Sequence, residues 1–582
     1  MSIIKNTNKE ISANGMPTII LCICSILLFI RCFFSFTWSD ESFYLSIVHR
    51  LWLGELMFVD EWYTTQLSAP LLIPFYAIYQ RITGGNEGIY LYYRFLYCLF
   101  SAATAFLAYF KLKKWNGSLA AFLCSLIYLF YSRANIGGLS YYNTTLTLVL
   151  IGILLIYEQL MEGGLRKCSL FIVGVVFALA VVITPYLAIP YIAIAVFFLL
   201  FKRTQKYWKY ILMAASGTMV TAIIYLCYVL SKVNIGDVLF NVPYVLNEPE
   251  LQKTNPVFAI PLIFIRIAWR YRFTILPYAG VILYICYKHL KNQSFTSKEI
   301  KCIWIINILI FVVNFIQSAN LIGCINIAFV LFGILLIVFY KEWNCKSTKI
   351  VQSFGVGGLS IVFSFTFSSD TGLDAMSIGF VILAMGMLLL IFQNHNIQEN
   401  KSLYRVIVVV IIGIIIQTAF LRMVSVYRDA PLNELNTQIS SGPAKYLYTT
   451  EEHAEQYYDL RDDIMNYVRE DDRVIYSKNC FWSYLCTENE YGVPTSWRIG
   501  MDSPRLEEYY TLNPQKLPTC VFVLKPEYGK FESSLIQNNE KTDRPNENNL
   551  EGFLYEYMME NDYEVIDSKS SLIFRKRNLG QD

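Results

Sequence analysis

A chain of 582 residues that is 55% hydrophobic and only 16% charged, with a mean hydropathy of +0.41, is too apolar for a soluble globular protein and reads as an α-helical polytopic membrane protein. The net charge of +3 is small, and the lysines and arginines form no dense run or stripe, which argues against nucleic acid as a partner. Most of the fourteen cysteines lie inside apolar segments, where a thiol behaves as a small hydrophobe, and no zinc-type CxxC pair is present.

The first sixteen residues are polar, and the apolar run Pro17–Phe36 that follows has no small-residue cleavage site, so it reads as a retained first span. Further runs near the length needed to cross ~30 Å of hydrocarbon fall at Tyr90–Phe110, Ser118–Tyr131, Tyr142–Tyr157, Cys168–Ile183, Tyr186–Phe201 and Tyr210–Leu230. After these come Phe273–Tyr287, Cys302–Ser318, Leu321–Tyr340, Val351–Phe367, Ala375–Phe392 and Val406–Met423, for about thirteen spans. Every second loop is basic, from Lys111-Leu112-Lys113-Lys114 through Arg166-Lys167 to Lys401 and Arg405. By the positive-inside rule this places the N-terminus in the cytoplasm and the C-terminal tail outside a plasma (inner) membrane. The alternation requires that Ser68–Ile82, with Pro70 and Pro74, be a juxtamembrane or re-entrant helix inside a first external loop of residues 37–89.

Residues 1–424 are therefore expected to form the membrane domain and 425–582 a small extracytoplasmic α/β domain. In the latter, Tyr457–Arg469 has helical periodicity, Arg473–Ser477 and Cys520–Leu524 are strand-like, and Tyr563–Arg575 reads as a hairpin. The polar stretch Gln537–Asn549 reads as a mobile loop, and whether Cys480 and Cys486 pair as a disulfide is left open.

Directly after the first span comes Trp38-Ser39-Asp40-Glu41-Ser42-Phe43-Tyr44, and apolar residues continue at 45, 47, 48, 51 and 52. This spacing predicts an amphipathic helix lying in the membrane interface, capped by Ser39, with Asp40 and Glu41 in its first turn. First-turn carboxylates complement the helix dipole without further purpose. Fixed at the external lipid headgroups, however, they could also act as a base on an acceptor held at that surface. His49 on the polar side of this helix reads as structural.

The ordered series Trp38–Tyr44, then Leu53-Gly54-Glu55, Asp60-Glu61, a Pro70-containing helix and Gly84-Gly85 followed by Arg94 resembles the first loop of GT-C class glycosyltransferases. The resemblance covers the first ~110 residues and is closest to the branch of protein O-mannosyltransferases and lipid A aminoarabinose transferases. It implies a polyprenyl-phosphate-linked sugar donor, transfer at the external face, Asp40 as the acid that deprotonates the acceptor with Glu41 beside it, and Arg94 facing the donor phosphate. Gln66-Leu67-Ser68-Ala69-Pro70 stands where relatives often carry His or Lys beside paired prolines, and Asn143 where some place a second aspartate. A divalent metal requirement is left open.

Displacing a lipid phosphate also needs cationic stabilisation of the leaving oxygen. Arg266, Arg270 and Arg272, before the external start of the eighth span, are the expected donors, with Arg133 a weaker one. Asp60, Glu61, Tyr141 and Asn143 are expected to hold acceptor or sugar, although solvated loop acids and belt aromatics share this pattern. The function expected is an inverting membrane glycosyltransferase acting on a cell-envelope glycan, lipid or protein acceptor. A transporter or flippase of lipid-linked saccharides is the alternative from another class. It calls for charges along a path through mid-membrane, whereas here they gather at span ends.

Overall fold

The computed structural model describes the chain except for residues 1, 165, 201–207, 248–264, parts of 266–320, 341–342, 369–372, 478–479, 498–502, 530–552 and 578–582. The N-terminal part is helical. Its elements are α1 (Ser2–Arg31), α2 (Asp40–Trp52), α3 (Ala69–Thr83), α4 (Ile89–Asn116), α5 (Ser118–Leu129), α6 (Tyr141–Glu162), α7 (Lys167–Ile183), α8 (Ala188–Leu200), α9 (Trp208–Leu230) and α10 (Ile235–Leu246). These are followed by α11 (Arg272–Leu290), α12 (Leu321–Tyr340), α13 (Cys345–Ile350), α14 (Val356–Ser368), α15 (Leu373–Gln393), the short α16 (His395–Glu399) and α17 (Lys401–Val424).

Among the described residues, five helical runs are long and apolar enough to cross a membrane: α4, α6, α9, α17 and Cys345–Thr366, in which a π-turn at Val351–Gly355 joins α13 to α14. Shorter apolar helices stand at several of the other expected crossings. With 12 residues, α5 is only about 18 Å long and does not span the hydrocarbon alone. Among the described residues, full-length helices therefore account for five of the about thirteen expected crossings. The expected span at Cys302–Ser318 lies largely outside the described residues, and α10 is an amphipathic helix that apolar run length did not reveal. Small residues set the tightest crossings. A Cβ at Gly174 of α7 would sit 1.8 Å from the Ala214 carbonyl oxygen of α9, and one at Gly217 of α9 would sit 2.1 Å from that of Phe171. Only glycine permits this approach, as in other packed membrane helices.

After α17 the composition turns polar and an α/β fold follows. Strands β1 (Thr437–Gln438) and β2 (Tyr448–Thr449) form a small antiparallel pair ahead of α18 (Glu451–Tyr467). A second sheet contains β3 (Arg473–Tyr476), β4 (Glu490–Tyr491), β5 (Cys520–Leu524), β6 (Tyr563–Asp567) and β7 (Ser571–Lys576) in the order β4-β3-β5-β7-β6. Its β3–β4 and β3–β5 pairs are parallel; its β5–β7 and β6–β7 pairs are antiparallel. The helices α19 (Ser503–Leu512) and α20 (Phe553–Glu560) complete it. Helix α18 starts where Thr450 accepts from the His453 amide, with Glu451 and Glu452 complementing the dipole. Cys480 and Cys486 are free thiols, and Gln537–Asn549 lies outside the described residues.

The tail is stitched to the start of the chain. Arg31, ending α1, donates to the carbonyls of Met423 (3.0 Å) and Ser425 (2.8 Å), satisfying acceptors that the end of α17 leaves over. Phe34 bridges to Tyr448, whose amide donates to the Phe33 carbonyl at 2.7 Å. The tail also covers α2, and this corrects the interfacial expectation for that helix. Residues Glu41 to Arg50 are all buried, because the 3₁₀ turn Phe481–Leu485 packs against them and Tyr491 donates to the Ser46 carbonyl at 2.9 Å. The polar side of α2 faces protein rather than water.

Candidate active site

Asp40 opens α2, where four unpaired backbone amides favour a carboxylate. Ser39 precedes it but makes no side-chain cap. Its hydroxyl instead accepts from Arg428 and donates to Asp40 Oδ2 at 3.3 Å. Two groups from the segment just after α17 converge on that same oxygen: the Tyr427 hydroxyl at 2.6 Å and Arg428 Nη1 at 3.1 Å. The side chains of Asp40 and Arg428 remain 18% and 15% exposed, so the site is reachable. Burial pushes the Asp40 carboxyl up, but Arg428, the Tyr427 hydroxyl, Arg133 and Ser39 together outweigh it and hold the group below the usual carboxylate range. Arg133, from the turn before α6, lies 3.7 Å from the ring centroid of Tyr142, and Tyr141 lies tilted against Tyr142 with ring centroids 3.8 Å apart and meets Tyr44 edge-on at 5.9 Å. The result is a carboxylate favoured in its ionised form within a cluster of arginines and tyrosines.

Glu41 does something else. It is buried, receives Arg94 Nε and Nη2 at 2.8 and 2.7 Å, and accepts the Gly137 amide at 2.7 Å. A Cβ at Gly137 would crowd its carboxylate at 3.2 Å, so the Gly137-Gly138 turn is shaped to wrap it. Arg94 Nη1 donates to the carbonyls of Cys32 and Ser35 at 2.8 and 3.0 Å. The expected catalytic neighbour and phosphate ligand are thus joined to each other. They tie α2, α4 and the end of α1 into one frame, and a narrow pocket lined by Tyr44, Leu72, Tyr93 and Leu139 lies against them.

Asp60 and Glu61 are likewise turned inward. Fully buried Arg50 holds Glu55 at 2.6 Å and Glu61 at 3.1 Å, and Lys516 of the tail reaches Glu55 and Asp60 at 3.4 and 3.5 Å. Burial pushes Glu61 up to about 7 against the pull of Arg50. This cluster locks the first loop to the tail, and neither acid is left to bind a sugar or acceptor in this state. Burial also defines His49, whose Nδ1 meets the Tyr76 hydroxyl at 2.6 Å and whose Nε2 meets the Thr487 carbonyl at 2.9 Å. Desolvation lowers its pKa to about 4. Between that value and the unfolded 6.5, the unfolded chain binds more protons, so His49 withdraws stability as pH falls through this window, by about 3 kcal/mol at most. Glu61 acts in the opposite sense over much of the same range. The checkable quantity is therefore a difference: melting of purified wild type and H49Q should diverge least near pH 4 and most near pH 7.

Asn143 donates to the carbonyls of Ile136 and Gly138 at 3.2 and 3.1 Å, which pins the turn carrying Arg133 rather than offering an amide to a sugar. Of the expected sugar-binding residues, Tyr141 is the one in ring contact with Tyr44 and Tyr142 beside Asp40. Arg272 donates to the Trp269 carbonyl at 2.9 Å and lies over the Trp269 and Phe273 rings. Arg266 and Arg270 lie outside the described residues. Sequence reading missed Tyr427 and Arg428, although the run Tyr427-Arg428-Asp429 places the first charges beyond the last apolar run. No group of three or more His, Cys, Asp or Glu side chains among the described residues is placed to hold a metal ion.

No family model and no curated protein sequence matches the chain. Solved structures do. The Archaeoglobus fulgidus oligosaccharyltransferase tethered with an acceptor peptide is similar at 11% identity and a TM-score of 0.45, covering 88% of this chain and 69% of that one. ArnT from Cupriavidus metallidurans bound to undecaprenyl phosphate is similar at 10% identity and a TM-score of 0.44, covering 97% of this chain and 98% of that one. At one shared residue in about ten, no side chain can be carried across from either.

Proposed function

We propose that the chain is an integral membrane glycosyltransferase that takes a sugar from a polyprenyl-phosphate carrier and transfers it to an extracytoplasmic glycan, lipid or protein acceptor, inverting the anomeric centre. One observation carries this reading. Of the six carboxylates in the first loop, Glu41, Glu55, Asp60 and Glu61 are buried in ion pairs and Glu87 is bound at the surface by Lys445, whereas Asp40, paired with Arg428, keeps 18% of its side chain exposed within a cluster of arginines and tyrosines. In the proposed reaction the Asp40 carboxylate takes the proton of an acceptor hydroxyl as its oxygen bonds to the anomeric carbon. The bond from that carbon to the lipid phosphate breaks and the phosphate leaves as an anion. Arg133 and Arg428 stand where such an anion could be compensated, and Tyr44, Tyr141 and Tyr142 supply ring faces for a sugar.

The sugar and acceptor can be read together by comparing envelope glycans of cells carrying the active chain with those carrying D40N. The expected outcome is the loss of one sugar from one class of acceptor, with the polyprenyl-phosphate sugar accumulating. Unchanged glycans, with the lipid-linked sugar redistributed between leaflets, would support the transporter reading.

A further inference from the structure

We propose that Tyr427 and Arg428 are positioning residues for Asp40, and that the Asp429–His453 pair fixes them, so that the tail sets the geometry of a catalytic group lying almost 400 residues earlier. The inference rests on the reading of Asp40 as the base. It is carried by a second piece of geometry. Arg428 has φ +48°, a left-handed conformation that side chains other than glycine adopt rarely and that persists only where neighbours over-determine it.

Those neighbours are on both sides. The Asp429 side chain is buried and accepts the Phe36 amide at 2.7 Å, the Thr449 hydroxyl at 3.0 Å and His453 Nδ1 at 2.6 Å. Phe36 belongs to the connection between α1 and α2, Thr449 and His453 to the tail. Asp429 therefore clamps the backbone one residue beyond Arg428 to both, and the strained turn lays Tyr427 and Arg428 across Asp40 Oδ2. The other charged or titratable groups around Asp40 are Arg133 from the turn before α6, Tyr44 on its own helix and Glu41, which is engaged by Arg94. Removing the Arg428 cation should leave the carboxylate with Arg133 alone and raise its proton affinity, while freeing its rotamer.

The test uses the full-length chain in lipid nanodiscs. Water-soluble carbodiimide, which modifies protonated carboxyls, is used to label Asp40 across a pH series read by peptide mass spectrometry. Transfer from a polyprenyl-phosphate sugar is followed in parallel. R428Q should raise the Asp40 labelling midpoint by one pH unit or more, shift the acid limb of the transfer profile by the same amount, and lower kcat about tenfold. R428K should restore the midpoint, and Y427F should move it upward by less. H453A, which unlatches the clamp without touching Asp40, should move it in the same direction. A midpoint unmoved in a folded R428Q overturns the proposal, and if R428Q does not fold, an unmoved midpoint in Y427F does so. A shifted midpoint accompanied by wild-type transfer in D40N would uphold the positioning and overturn the role of Asp40 as base.

Discussion

D40N should reduce transfer by about three orders of magnitude while the protein melts within a few degrees of wild type, read by donor turnover and thermal unfolding in detergent. A positioned general base contributes about 10²–10⁴-fold, and asparagine keeps the volume and an oxygen for Tyr427 and Arg428 but cannot take a proton. The loss should fall on kcat, since the amide still fills its place and donor affinity depends on the surrounding cations. E41Q should look different. It strips a charge from Arg94, buried at 3% exposure, and should reduce expression and melting temperature together with activity. The contrast between two adjacent carboxylates separates chemistry from framework. D40N with undiminished transfer would remove Asp40 from the mechanism.

R50M is expected to be the most destabilising single substitution in the first loop, by about 3–5 kcal/mol. Arg50 is fully buried, pairs with two carboxylates, donates to the Val493 carbonyl at 2.7 Å and lies over the Tyr491 ring. Without it, Glu55 and Glu61 keep only Lys516, which reaches Glu55 but not Glu61 within ion-pair distance among the described contacts. Burial already pushes both acids up, so in R50M they should take up protons on folding. Its deficit should then shrink as pH is lowered from 7 toward 5, because the folded form would bind more protons than the unfolded one. The triple variant R50M/E55Q/E61Q should recover much of the lost melting temperature at pH 7.

What could be read without coordinates followed from physical regularities that are local. Run length and hydropathy located most of the apolar helices that the structure describes, and local pattern found β3, β5 and the β6–β7 hairpin within a residue and α18 with its start six residues too late. Asp40 itself was legible as a first-turn acid at a span's end. Its partners were not, because the cations lie far off in sequence: Arg428 is 388 positions from Asp40, Arg94 is 53 from Glu41 and Lys516 is 456 from Asp60, and of these acids only Glu61 has its partner, Arg50, as near as 11 positions. A sequence shows that a carboxylate is present; whether it is spent on the fold depends on which distant cation arrives. The amphipathic pattern of α2 misled for the same reason, since a polar face reads alike whether water or a tail domain covers it.

The bonds from Arg31 to Met423 and Ser425 have a consequence for biosynthesis. The N-terminal helix ends in a cation whose acceptors are made 392 and 394 residues later, and the lid over α2 is made later still. A nascent chain emerging from the ribosome and entering the membrane helix by helix therefore carries Asp40 without Tyr427 and Arg428 until the tail is begun, whereas Arg50 and Arg94 already have Glu55, Glu61 and Glu41 within reach. Such long-range closure is slow and comes last. If Asp40 acts as proposed, activity would begin only on completion of the chain, and an incomplete copy in the membrane would be silent.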